Sequence, residues 1–141
     1  MSKNTKFNLN KYKETNKKED VIYKPQLYLP VDDCIRTVLG LPGIPIGAVI
    51  QIYGKSDTGK TSLMFHIAAE AQKTDVLPIL YITEKKVDWD RAKNMGFDKD
   101  RFTLIEESFT TIEEVFDDVL KKNKKKKRGE LPKNIVFFWD S

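Results

Sequence analysis

Apolar and polar positions along the chain change their rhythm several times, and each change marks an element. Residues 1–22 are polar, rich in Lys and Asn, and without apolar periodicity, which predicts a disordered basic arm before an ordered body from residue 23 onward. Pro25 and Pro30 bracket an extended piece, KPQLYLP. Asp32 or Asp33 can then cap a short helix through Ile35, Val38 and Leu39, ended by Gly40 and Pro42. The stretch Gly43 to Gly47 reads as a turn.

From Ala48 the pattern alternates between strand and helix. AVIQIY, Ala48 to Tyr53, is β-branched and aromatic and predicts a strand closed by Gly54. Lys60 to Gln72 carries Leu63, Phe65, Ile67, Ala68 and Ala71 at helical spacing. LPILYI, Leu77 to Ile82, predicts a second, buried strand. Trp89 to Met95 is a short helix stopped by Gly96, and Phe102 to Ile105 a third strand. Thr111 opens a helix to Leu120 with a capping box, Thr111-Ile112-Glu113-Glu114. Ile135 to Trp139 is a fourth strand. Strands with helices between them imply βαβ crossovers and a mainly parallel sheet, an α/β fold.

Charge changes the picture in one place. KKNKKKKR, Lys121 to Arg128, holds seven cations, so the net charge of +4 leaves the remainder of the chain at −3. Like charges in a block repel and stay in water, so residues 121–133 are expected to form a solvated basic loop. The same charges, with Lys3, Lys6, Lys11, Lys13, Lys17 and Lys18 of the arm, can also attract phosphate backbones. The lone Cys34 excludes an internal disulfide, and with only His66 beside it no structural zinc site is expected. No apolar run approaches the ~20 residues needed to span a bilayer, and the opening stretch does not read as a secretory signal. A cytoplasmic setting without membrane contact is the expectation.

The chemistry concentrates at Gly54-Lys55-Ser56-Asp57-Thr58-Gly59-Lys60-Thr61, which leaves a strand and enters a helix. This spacing is the P-loop. Gly54 permits the turn that points successive N–H groups inward, and Gly59 lets the chain pass close to phosphates. The helix start adds partial positive charge, with Ser62 next in its first turn. Lys60 would reach the β- and γ-phosphates and Thr61 would offer its hydroxyl to Mg2+, so ATP with magnesium is the expected ligand. Asp140 follows five apolar residues at the carboxyl end of a strand, the Walker B position for a carboxylate that holds magnesium. Glu84 also ends a strand and could activate water, a role for which Glu106 and Glu107 compete by position.

With these residues in view, GIPIGAVIQIYGKSDTGKTSLMFHIAAEAQ resembles the RecA recombinase core. The likeness continues through Tyr81-Ile82-Thr83-Glu84, Val87-Asp88, Met95-Gly96 and Thr111 to Glu114, and ends at Val136 to Ser141. The Lys-rich texture is similar to phage recombinases of the UvsX type. The resemblance implies a RecA-like P-loop NTPase, a DNA-dependent ATPase whose complete form coats single-stranded DNA as a self-associated filament and drives homologous pairing. It implies that Glu84 is the catalytic glutamate beside Lys60, that Asp88 lies near the adenine amino group, and that Arg91 stacks on adenine. It also implies a further strand between the P-loop strand and the Walker B strand, and DNA-binding loops, all beyond Ser141; the core is expected to be partial, truncated after the Walker B strand. A RecA-fold helicase, a KaiC/RadA-type ATPase and a non-catalytic nucleotide-binding fragment are the alternative readings.

Overall fold

The computed structural model describes residues 27–83 and 87–140, so the arm and Glu84 lie outside the described residues. Tyr28–Leu29 (β1) pairs antiparallel with Ile44–Pro45 (β2), so the stretch expected to be a plain turn contributes a short strand. Between them lies Asp33–Leu39 (α1), whose N-cap is Asp32, accepting from the Ile35 N–H, and whose C-cap Gly40 is left-handed at φ 63°. Only a residue without a Cβ takes that conformation cheaply.

The sheet that organises the molecule has three parallel strands: Leu104–Glu106 (β4), Leu77–Ile82 (β3) and Ile135–Asp140 (β5), in the order β4-β3-β5. β3 is central, in register with Leu104 through Ile79 on one edge and with Ile135 through Leu77 on the other. All six of its residues are buried, which explains why its sequence is continuously apolar.

Its two faces feed two cores. Leu80 and Ile82 pack with Met64, Phe65, Ala68 and Ala69 of Lys60–Gln72 (α2), and with Ala92 of Trp89–Asn94 (α3). Leu77, Ile79 and Tyr81 pack on the other side with Val115 of Ile112–Lys127 (α4) and with Ile135. The alternation follows from the period of two along a strand.

Two expectations are corrected. Ala48 to Tyr53 is not a strand: the segment pairs with nothing, and Val49 and Tyr53 are 100% and 87% exposed. β propensity supplies no hydrogen-bond partner, and among the described residues no strand lies between this segment and the outer edge of β5. Its Ala48 N–H donates to the Pro45 carbonyl at 3.4 Å, a local turn contact and not a ladder bond.

The basic run, expected to be a loop over 121–133, is instead helical to Lys127, with Arg128 as C-cap. Lysine is a good helix former, and cations in the last turn face the negative end of the helix dipole. Lys122 also turns inward, only 8% exposed, and donates 2.7 Å to Glu106 Oε1 and to Asp118. The capping box is present, with Glu114 N–H donating to Thr111 Oγ1 and the Glu114 carboxylate accepting from the Thr111 N–H.

Candidate functional site

The site is built where α2 starts and β5 ends. Gly59, at φ 89°, is the N-cap of α2, and Asp57 is also left-handed at φ 60°. The chain therefore reverses twice within three residues and enters the helix with its first N–H groups unclaimed. A Cβ on Gly54 would meet Thr58 Oγ1 at 3.1 Å, so the turn is tight as well as strained. Thr58 Oγ1 donates to the Lys55 carbonyl at 2.8 Å and closes the loop. Lys60 Nζ folds back over it, donating to the carbonyls of Lys55 at 2.8 Å and Gly54 at 3.2 Å. An ammonium held over the loop is placed to meet an anion, and a phosphate oxygen is a stronger acceptor than a carbonyl.

Thr61 links this loop to the far end of the chain. Its Oγ1 donates to Asp140 Oδ1 at 3.3 Å, joining residues 79 apart in sequence. Asp140 ends β5 beside Ile82 of β3. Its carbonyl accepts from Thr83 Oγ1 at 2.8 Å and from the Thr83 N–H at 3.3 Å, and Trp139 Nε1 donates to Thr83 Oγ1 at 3.3 Å. Thr83, which sequence reasoning did not single out, ties the end of β3 to the end of β5. Only a polar residue just past an apolar strand signals it.

Among the described residues no group of three or more His, Cys, Asp and Glu gathers to hold a metal. One hydroxyl and one carboxylate suit magnesium, which takes few protein ligands and completes its shell with phosphate and water. The residues present therefore fit a magnesium nucleotide.

The other candidates are placed less closely. Asp88 is the N-cap of α3 and accepts from the Arg91 N–H at 2.9 Å, while Arg91 is exposed. Neither is tied to the loop by a hydrogen bond or ion pair among the described residues. Ser56 is exposed, and Ser62 is half-buried in the first turn of α2. Glu106, a rival for the role of Glu84, is engaged by Lys122, whereas Glu107 is exposed.

Behind the site lies a polar cluster that the sequence did not announce. Tyr81 Oη donates to Asp118 Oδ2 at 2.8 Å, and Lys122 Nζ stands 5.4 Å over the Tyr81 ring. Burial, then the bond to Asp118, pushes the Tyr81 hydroxyl far above its ordinary range. Burial alone would raise the Asp118 carboxyl, but bonds from Lys122 and Tyr81 outweigh it and hold it low. Burial alone would lower Lys122, but its two carboxylate partners outweigh it and raise it. The i,i+4 spacing of Asp118 and Lys122 was the one visible hint.

Comparison with known proteins bears on the same segments. The protein RecA of Campylobacter fetus subsp. fetus (strain 82-40) is 37% identical over 71 residues, 50% of this chain and 21% of that protein. The protein RecA of Mesomycoplasma hyopneumoniae (strain 7448) is 39% identical over 70 residues, with the same two shares. The match thus spans about a fifth of the length of these relatives. A model of the RecA N-terminal domain matches residues 16–118, which take in the P-loop, α2, β3, α3 and β4. Since that match covers most of the chain, including the loop and helix on one side of the site, the chain belongs to the RecA N-terminal domain family of RecA-type recombinases.

Proposed function

We propose that this chain is the ATP-binding portion of a DNA recombinase. The complete assembly would coat single-stranded DNA as a filament in the cytoplasm and use ATP to drive homologous pairing and strand exchange. The observation that carries the ATP assignment is the Thr61–Asp140 hydrogen bond at 3.3 Å, beside a P-loop whose Lys60 caps its own carbonyls. It brings a Walker A hydroxyl and a Walker B carboxylate to one point from opposite ends of the fold.

When bound, magnesium ATP supplies the cleavable phosphate and the charge neutralisation that makes it reactive. Lys60 would exchange its carbonyl partners for the β- and γ-phosphate oxygens, and the loop from Gly54 to Gly59 would offer its N–H groups, with Lys55, Ser56, Asp57 and Thr58. Thr61 and Asp140 would hold magnesium. Glu84 would take a proton from the attacking water. The engagement of Glu106 by Lys122 favours Glu84 over it. Asp88 and Arg91 would lie toward the adenine, as the resemblance implies.

A second reading has its own support. Ala48 to Tyr53 lies outside the sheet, so the P-loop is anchored firmly on its α2 side only. Such a loop can bind nucleotide while turning it over slowly, which favours binding without efficient hydrolysis by the chain alone.

Lys60→Ala tests the assignment. Removing a charge-assisted hydrogen bond should weaken magnesium-ATP binding by about 2–3 kcal/mol, roughly 30- to 150-fold. Titration with a fluorescent ATP analogue measures it, and equal affinities would remove the P-loop assignment.

A further inference from the structure

The basic run is an ordered face, and this changes what it can do. At about 100° per residue, Lys121, Lys124, Lys125, Lys127 and Arg128 project into one arc of roughly 160°. All five are exposed, and the arc lies opposite Val115 and Lys122, which are buried. Lys122, the sixth lysine-run cation to be accounted for, is spent on Glu106 and Asp118. Arg128 reaches Glu130 only at 3.8 Å, and Lys124, Lys125 and Lys127 have no ion-pair partner among the described residues.

The helix dipole explains cations in the last turn, but Lys121 lies nearly two turns earlier. Meanwhile the pairs Lys121/Lys125 and Lys124/Arg128 stand at i,i+4, where like charges destabilise a helix. Lys121 is partly offset by Asp118, but Lys124, Lys125 and Lys127 stand on one ordered face without an ion-pair partner among the described residues, an arrangement suited to an extended anion.

We propose that this face of α4 is a docking rail for the phosphate backbone of single-stranded nucleic acid. An anionic membrane fits less well. The exposed apolar side chains of α4, Ile112, Phe116 and Leu120, begin in its amino-terminal half beside Glu113, Glu114 and Asp117. A helix lying flat on an anionic surface would press those acids against like charge. A strand crossing only the carboxyl-terminal half of α4 avoids them. The choice of nucleic acid as the polyanion rests on the recombinase reading, whereas the charge geometry does not.

Lys121 to Arg128 spans about 10 Å of helix, room for two or three phosphates. Counterion release then gives a log–log salt slope of about −1.5 to −2 for a single strand. The test is fluorescence anisotropy of the whole chain with a labelled oligo(dT) of about 20 nucleotides, between ~25 and ~200 mM salt. The triple substitution Lys124→Gln, Lys125→Gln, Lys127→Gln should weaken binding about tenfold at the lowest salt and roughly halve the slope. The corresponding triple change to Arg should preserve both. Replacing Lys11, Lys13, Lys17 and Lys18 by Gln should leave most of the binding in place. Affinity for the ATP analogue should be the same in all of them, which reports an intact fold and keeps this test separate from that of the P-loop. The proposal is overturned if the parent chain does not bind at low salt, or if the Gln triple binds as the parent does. It is overturned equally if the arm variant alone abolishes binding, or if vesicles containing phosphatidylserine bind more tightly than the oligonucleotide.

Discussion

Leu77 to Ile82 and Ala48 to Tyr53 are nearly the same kind of sequence, six residues of mostly aliphatic and aromatic character ending near the candidate site. One is the central strand, buried at every residue and paired on both edges; the other is unpaired, with Val49 fully exposed. The difference is not in propensity but in neighbours. β4 and β5 stand either side of β3, and α2 and α4 cover its faces, whereas among the described residues no strand pairs with Ala48 to Tyr53. One leads into Thr83 and the other into the loop Gly54 to Thr61, yet only the first rests on paired strands.

The sharpest way to break this comparison is to remove the same kind of side chain from each. Leu80 is fully buried, so Leu80→Ala should destabilise the fold by about 2–5 kcal/mol through lost burial and the cavity left behind. Val49→Ala should change stability by less than about 0.5 kcal/mol, as exposed substitutions do. Urea unfolding of both proteins measures the contrast. A Val49→Ala cost comparable to that of Leu80→Ala would mean that Ala48 to Tyr53 is packed after all.

A smaller effect probes what fastens α4 to β3. Lys122→Met keeps most of the apolar stem but leaves the Asp118 and Glu106 carboxylates without their cation. The expected loss is about 2–3 kcal/mol, the scale for a hydrogen bond to a charged group that is left unmet. A double change, Lys122→Met with Asp118→Asn, should recover part of it. Additive losses in the double variant would show that the two side chains act independently.

The parts of this molecule that were legible in sequence are those decided locally. The bounds Lys60–Gln72 and Leu77–Ile82 follow from periodicity and a closed apolar run, and Thr111 from the hydroxyl and acid spaced to cap each other. Asp140 was placed by the strand before it, and its meeting with Thr61 followed from the P-loop logic. What was not legible is decided by distant partners. Whether Ala48 to Tyr53 pairs depends on a neighbour that its own residues do not encode. Whether Lys121 to Lys127 is loop or helix depends on Lys122 finding Glu106, on another strand, as well as Asp118 one turn back. A block of lysines read without that anchor looks only like solvated charge.

The last and smallest effect is on the pH dependence of the same anchor. Tyr81 and Lys122 both have raised pKa values in the folded chain, against ordinary values of 10.0 and 10.5. For both groups the folded state keeps its proton longer than the unfolded state. Their contribution is therefore fully present below the ordinary values and is lost as pH rises beyond them. Asp118 runs the other way: its carboxyl is lowered from 3.8, so its contribution is present above that value and is lost as pH falls through its folded pKa. Stability should be flat between these limits as far as this cluster is concerned, and should begin to fall above about pH 10. Tyr81→Phe removes the hydroxyl and with it part of the alkaline fall, while leaving the Lys122 part in place. Urea midpoints of parent and variant across the alkaline range measure the difference. Parallel curves for the two proteins would mean that the Tyr81–Asp118 hydrogen bond is not part of what holds α4 on β3.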